Sequence, residues 1–216
     1  MLSRPTMTRS SLIRTFATAA FTASLVFLAG CGDDPKPVET KKEVKKPTVP
    51  EGPISALTAY YEVYKVARTL APDLQTASIA GKDVDGQKSA EGKYVQWAIT
   101  FVSASKQTAY QFVYSTVEQG NILKGINNQG SLRWAGANQN ATPFTNQDFS
   151  IDSDAAYKAA AEKAGDWLKK NDKPITEFAL GNSSKFPAPM WYILWGTKAG
   201  GFASFVNAST GKVAGK

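Results

Sequence analysis

The sequence predicts an α+β fold in which a helix followed by an antiparallel sheet occurs twice within one compact domain, after a disordered tether. Apolar residues change from helical spacing to strict alternation between residues 53 and 114, and the same change recurs between residues 152 and 208. The roughly 160 residues after position 53 are also rich in tyrosine, tryptophan and phenylalanine, which is enough for one hydrophobic core.

The first predicted helix covers residues 53–71. Pro53 suits the first turn of a helix, and Pro72 cannot continue one. Between these prolines, apolar residues recur every three or four positions and form one stripe, which consists of Ala56, Tyr60, Val63, Ala67 and Leu70.

Strands are predicted after this helix. Residues 94–103 alternate, with Trp97 and Phe101 on one face, and residues 110–114 alternate again after a polar turn. This pattern predicts a hairpin. Two further short strands are expected at residues 121–126 and 131–135, joined by a tight turn at residues 127–130.

The second half of the folded region has the same order. Asp152, Ser153 and Asp154 suit the start of a helix. Residues 191–195 then align with residues 97–101, and residues 205–208 align with residues 112–115. The expected units are therefore 53–148 and 149–216, and the alignment indicates internal duplication.

Residues 205–213 end in a short turn motif. This motif, Asn207-Ala208-Ser209-Thr210-Gly211-Lys212-Val213, resembles the turn that commonly ends PepSY-type domains. The whole folded region also resembles cystatin-like and tandem-repeat inhibitor folds, in which a helix packs on an antiparallel sheet. These resemblances imply a periplasmic binding or inhibitory module and carry over no catalytic residue.

The N-terminal 30 residues have the layout of a secretory signal. Basic residues precede a short apolar run, which ends at Leu28-Ala29-Gly30 before Cys31, the only cysteine. This segment resembles the signal peptide and lipobox of bacterial lipoproteins, with Met1 or Met7 as the start. The resemblance implies cleavage before Cys31, diacylation of its sulfur and acylation of the new N-terminus. A structural or reactive thiol is the alternative.

The residue after the cysteine bears on location. In the enterobacterial pattern an aspartate there retains a lipoprotein in the inner membrane, and this chain has Gly32. We therefore expect a lipid-anchored protein at the outer membrane that faces the periplasm. The alternative location is the outer face of the plasma membrane.

Residues 31–52 are expected to form a disordered linker, because they combine prolines and charges with almost no apolar residue. The formal charge of the chain is +7, and loss of Arg4, Arg9 and Arg14 with the signal lowers it to +4. This modest charge, without a basic run interleaved with aromatic residues, predicts no nucleic-acid partner.

The composition also limits catalytic chemistry. The chain has no histidine, and its single cysteine is assigned to lipid, which excludes histidine- and thiol-based catalysis and histidine zinc sites. Asp152 and Asp154 are expected to cap a helix, and Asp83 and Asp85 to lie in a solvated turn rather than a calcium loop. We therefore predict no catalytic residue, metal or cofactor.

Two surfaces remain as candidates for binding. Tyr192 and Leu194 lie on the face of their strand that is opposite Trp191 and Trp195, so they either pack inside the protein or form a docking patch. The amide-rich loop 137–147 could instead bind glycan or peptide through its side chains, which include Phe144, or simply connect the two halves.

The sequence thus predicts a lipid-anchored, non-enzymatic cell-envelope protein that binds a protein or peptide. A structural accessory lipoprotein of an envelope assembly is the first alternative. A carboxylate-based enzyme that acts on glycans is the second, and it would need two carboxyl groups facing each other across a cleft.

Overall fold

The computed structural model describes residues 48–87 and 89–214, and in these residues it shows one α+β domain. Its elements are α1 (Ala56–Ala67), β1 (Gln75–Lys82), β2 (Gln96–Ser103), β3 (Thr108–Ser115), β4 (Gly125–Arg133), α2 (Ser153–Leu168), β5 (Ile175–Gly181), β6 (Met190–Trp195) and β7 (Phe202–Asn207). The predicted α+β class, both helices and the hairpins β2–β3 and β6–β7 are confirmed.

The strands form a single sheet in the order β4-β3-β2-β1-β5-β6-β7, and all neighbouring strands are antiparallel. β1 and β5, which the sequence pattern did not predict, lie at its centre. They pair Ile79 with Leu180 and Ala80 with Ala179, and this pairing makes one continuous sheet from the two halves of the chain.

The core lies between the two helices and one face of the sheet. α1 packs on β1, β2 and β3, whereas α2 packs on β6 and β7. The predicted stripe of α1 is buried from Ala56 to Ala67, and Trp97, Phe101 and Trp191 are buried opposite the helices. Alternation in β2 therefore places one set of side chains in the core, as predicted.

Two buried tryptophans connect the sheet to the segments that enter the helices. The Nε1–H of Trp97 donates to the carbonyl of Ile54 at 3.0 Å, and that of Trp191 donates to the carbonyl of Ile151 at 2.9 Å. Each acceptor lies two residues before the first residue of its helix. The two rings also meet edge to face, 6.5 Å apart.

Asp152 and Ser153 cap both helices. Asp152 Oδ1 accepts from its neighbour Ser153 N at 2.7 Å, as expected for an N-cap, and also from Leu57 N at 3.0 Å. The Ser153 hydroxyl accepts from Ala56 N at 2.9 Å. Ser55, the N-cap residue of α1, makes no capping bond with its own side chain. Free N–H groups of α1 are thus satisfied by the start of α2.

The tight turn expected at residues 127–130 is wrong. These residues lie inside the single strand β4, where the pairing with β3 shifts between Gln111 and Phe112. Asn128 Oδ1 accepts from Gly130 N at 2.8 Å, and Gly130 has a φ of +97°. The same Asn and Gly residues that favour a turn here form a β-bulge.

The alignment of the second hairpin strands is wrong by one residue. Trp97 pairs with Tyr114 and Trp191 pairs with Val206, so Tyr114 corresponds to Val206 and not to Asn207. The cause is the length of the hairpins: Phe101 pairs with Tyr110 and encloses eight residues, whereas Trp195 pairs with Phe202 and encloses six. A shift of one residue moves every side chain to the other face of the sheet.

The C-terminal motif forms a closed turn. Asn207 Oδ1 accepts from Ser209 N and Thr210 N, both at 2.9 Å, and Gly211 has a φ of +71°. The chain then returns along β7, where Val213 forms a bridge with Val206. The Asn and Gly residues of the motif are therefore required by the backbone path.

The expected domain boundary at residue 53 lies inside the region that contacts the core. Val49 is partly buried against the core and lines a groove with Tyr114, Gly125 and Ile126. The last residues of the expected linker therefore pack on the folded domain. The signal peptide, Cys31 and the linker up to residue 47 lie outside the described residues.

Candidate functional site

The face of the sheet opposite the helices carries side chains that do not belong to the helix-packed core. Its buried members, such as Val102, Met190 and Leu194, lie outside the main core cluster. Strand register aligns one residue from each strand in a row across this face: Asn127, Val113, Ala98, Ala80, Ala179, Tyr192 and Phe205. We call this surface the helix-free face.

Three aromatic rings lie together at the β6–β7 end of the helix-free face. The centroid of Phe205 is 5.0 Å from that of Tyr192 and 5.0 Å from that of Phe186, with interplanar angles of 39° and 36°. Tyr192 and Phe205 pair across the two strands, and Phe186 comes from the loop before β6. All three side chains remain partly exposed. They form the aromatic cluster.

The two residues singled out from the sequence are placed differently. Tyr192 lies on the helix-free face, as its parity predicts, and is partly exposed. Leu194 lies on the same face but is only 4% exposed, so it offers little surface to a partner. Sequence reasoning missed Phe186 and Phe205. The shifted alignment had given Phe205 the position of the core residue Phe112.

A cleft of about 340 Å³ lies beside the aromatic cluster. Its floor is made of small residues of β1 and β5, which include Ser78, Ala179 and Gly181. Polar groups of two loops form another wall, with Asn140 from one loop and Asn182 from the other. The structure therefore brings the two sequence candidates, the Tyr192 strand and the amide-rich loop, together in one site.

Backbone hydrogen bonds fix the two loops against each other. Thr142 N donates to the carbonyl of Asn182 at 3.0 Å, and Ser184 N donates to the carbonyl of Gln139 at 2.9 Å. The Ser184 hydroxyl donates to the same Gln139 carbonyl at 3.2 Å. The cleft wall is thus preformed in the free protein.

The expectation that Phe144 could stack on a ligand is corrected by its burial. Phe144 is 3% exposed, and its ring packs 5.6 Å from that of Phe149. Its N–H and carbonyl both pair with Thr76, at 2.9 and 2.8 Å. This backbone pairing holds the end of the loop in the domain and turns the phenyl ring into the core.

The cleft is close to electrically neutral. Glu177 lines it, and the Glu177 carboxylate lies 3.6 Å from the Lys198 ammonium group. Partial burial raises the pKa of the Tyr192 hydroxyl above its ordinary value; Glu177 acts in the same direction, whereas Lys198 acts against it. Tyr192 is therefore a neutral hydrogen-bonding group at physiological pH.

Three of the other acidic residues considered from the sequence make contacts within the domain. Asp152 caps the helices, and Asp154 forms an exposed ion pair with Lys93 at 3.7 Å. Asp83 accepts from the Ser89 hydroxyl at 3.0 Å. In the part of the chain that the structure describes, no group of three or more acidic, histidine or cysteine residues could hold a metal ion.

Cys31, the expected lipidation site, lies outside the described residues. Among the helices that are described, neither is long and apolar enough to cross a membrane.

Comparisons with known proteins give one structural likeness. No family model matches the sequence, and no curated protein matches it. Among solved structures, the chain is similar to a "putative lipoprotein" of Clostridium difficile 630, with 9% sequence identity and a TM-score of 0.42. The match covers 73% of this chain and 90% of that one. At this level the likeness carries no ligand or activity over to this chain.

Proposed function

We propose that this protein is a lipid-anchored, non-enzymatic module of the bacterial cell envelope that binds a protein or peptide through the helix-free face. The observation that carries the proposal is the aromatic cluster, which lies next to a preformed cleft on a face that neither described helix covers. Partly exposed aromatic residues in a preformed site are typical of binding surfaces.

The anchor is assigned from the N-terminal sequence. The lipobox at residues 28–31 supplies a cysteine for acylation, and Gly32 favours the outer membrane, with the domain in the periplasm. Two or three acyl chains on one residue hold a protein stably at a membrane. At about 3.1 Å per residue, an extended segment 32–47 reaches about 50 Å.

We also propose that the domain arose by duplication of a PepSY-like unit. Both halves have a helix followed by antiparallel strands, four in the first half and three in the second, and both use a tryptophan to hold the segment that enters the helix. The closed turn at Asn207–Val213 supports the PepSY-like assignment. Because this family has no shared catalytic residues, the assignment agrees with a binding role.

Affinity capture from envelope extracts tests the binding role. The mature chain in detergent is the bait, and Tyr192→Ser and Val113→Ser are compared with it. Both residues are partly exposed and lie in the same row of the helix-free face. We expect one specific partner that is lost with Tyr192→Ser and retained with Val113→Ser. Equal capture by both variants, or no specific partner, would reject the proposal.

The anchor is tested separately with Cys31→Ser. Serine lacks the thiol that forms the thioether, so we expect an unprocessed precursor without palmitate label. Uptake of label by the serine variant would show that lipid is not attached at Cys31.

A further inference from the structure

The shape and polarity of the cleft restrict what can bind there. Its lining includes the three rings of the aromatic cluster and small residues of β1 and β5. Small side chains on the floor let a ligand approach the sheet backbone closely. A volume of about 340 Å³ is at the small end of ligand sites, which suits one or two residues of a chain better than a large cofactor.

The charges of the cleft favour an uncharged ligand. Glu177 is the charged residue of the lining, and Lys198 already faces its carboxylate. A charged ligand group would lose hydration without gaining a free partner, which is unfavourable. Asn140, Asn182 and Ser183 instead offer neutral amide and hydroxyl groups.

One amide group in the cleft wall is not satisfied. Asn182 Oδ1 is buried and has no hydrogen-bond partner among the described residues. Its backbone carbonyl is occupied by Thr142 N, so the side chain is the group that is free to adapt. A small rotation of this amide would let it accept from an N–H of a bound chain, and buried acceptors of this kind are usually paired.

The arrangement of the rings favours a peptide over a sugar. Phe205 is the ring that contacts both others at 5.0 Å, so much of its surface is already covered by aromatic carbon. A sugar ring stacks on an open aromatic face, whereas a proline or an aliphatic side chain can pack against ring edges and the small-residue floor. Aromatic-lined grooves with neutral hydrogen-bonding groups are a common way to bind extended peptides.

We infer that the cleft binds an uncharged, extended peptide segment of a partner protein, with one apolar side chain packed against Phe205 and backbone groups bonded to Asn140 and Asn182. The inference rests on the proposed binding function and deepens it. Phe186 closes the cleft over this side chain, and Tyr192 supplies a neutral hydroxyl at its border.

Selection from a displayed library of random heptapeptides tests the inference, with the mature chain in detergent as the target. We expect enriched peptides that share an uncharged apolar or proline-containing core. The Kd of these peptides should rise at least about tenfold in two variants, Phe186→Ser and Phe205→Leu. The first variant changes a loop residue, and the second keeps an apolar side chain in β7. Val113→Ser is the matched control and should bind as the unaltered chain does.

Three outcomes would overturn the inference: no peptide that distinguishes Phe186→Ser from the control, enrichment of charged cores, or binding of chitotriose that displaces the peptide or replaces it. Thermal melts of each variant check that the domain is folded. If envelope capture of a partner survives in Phe186→Ser, the binding function stands and only the cleft assignment fails. If no partner is captured by any form, the proposed function itself fails.

Discussion

The first and second halves of the domain build the same contact from different surroundings. In both, a tryptophan from a strand next to the central pair donates its Nε1–H to a carbonyl two residues before a helix. The bonds have nearly equal lengths, 3.0 and 2.9 Å. A buried indole N–H needs a partner, so this contact fixes where each helix begins relative to the sheet.

The side chains around these tryptophans differ, but they fill comparable space. Trp97 pairs across the sheet with Gly81, whereas Trp191 pairs with Leu180. The ring of Tyr94 lies over Gly81 and occupies the space that Leu180 fills in the second half. At this position an aromatic ring from the segment before β2 therefore packs where the second half uses a strand side chain.

The two halves differ more clearly in the side chains that they place on the helix-free face. In the central row, the first half presents Ala98 and Val113, whereas the second presents Tyr192 and Phe205. Neither pair is needed for the helix-packed core. The aromatic residues of the second half belong to the surface proposed for binding, and the first half supplies a natural control for it.

The largest expected effect comes from removing either buried indole. Trp97→Ala and Trp191→Ala should each lower the free energy of unfolding by about 3–5 kcal/mol, because each creates a large cavity. The Ile54 carbonyl keeps its bond from Tyr94 N at 3.0 Å when Trp97 is removed, whereas the Ile151 carbonyl loses the bond from Trp191. Denaturant unfolding of each variant measures this loss. Trp134→Ala, at a partly exposed residue beyond β4, is the control and should cost much less. A large loss in only one half would contradict the equivalence of the two contacts.

A smaller effect is expected where the two halves pack differently. The Cβ of an alanine at position 81 would lie 2.6 Å from the Tyr94 ring, so Gly81→Ala should destabilise the domain by about 1–3 kcal/mol. An alanine Cβ at Gly181 meets no atom within 4 Å, and Gly181→Ala should change stability by less than about 0.5 kcal/mol. Thermal unfolding compares them. Equal losses would mean that Tyr94 does not replace the missing leucine.

The sequence predicts the elements with long, regular patterns and misses those defined by their neighbours. α1, α2, β2 and β6 have clear apolar periods and were placed to within a few residues. β1 has Thr76 and Ile79 as its buried members in a run of small and polar residues. Such a strand is defined by the strands that pair with it on either side. The alternation of residues within one strand gives no information about those partners.

The candidate site was predictable in part for a similar reason. Parity alone places Tyr192 on the helix-free face, but the alignment of Phe205 with Phe112 is shifted by one residue because the two hairpins differ in length. Phe186 lies in a loop without periodicity. Composition does not reveal the backbone pairing of Phe144 with Thr76, so it leaves open whether this ring faces a ligand or the core. The two loops of the cleft wall are distant in the sequence, and predicting that they meet would require knowing the order of the strands in the sheet.

The smallest expected effect concerns the hairpin connections. In the first half, Asp73 accepts from the Ser103 hydroxyl at 2.6 Å and from Ser105 N at 2.7 Å, and so ties the β2–β3 turn to the segment after α1. The connection in the second half is held mainly by hydroxyl and backbone bonds, such as Gly201 N to the Thr197 carbonyl at 2.7 Å, and its carboxylate contact is the exposed pair between Lys198 and Glu177 at 3.6 Å. The acid response of Asp73 should therefore belong to the first hairpin.

The pKa of Asp73 gives the pH range of this difference. The Ser103 hydroxyl bond, followed by the Ser105 N–H bond, lowers the pKa of the carboxyl from 3.8 to about 2. A carboxyl with a depressed pKa stabilises the fold above its ordinary value and loses that contribution as pH falls through the folded value. Amide signals of residues 103–107 should thus shift with a midpoint near pH 2, whereas those of residues 196–201 should not follow that midpoint. Asp73→Asn should abolish the difference, and a matching transition in both hairpins would show that the acid response is global and does not originate at Asp73.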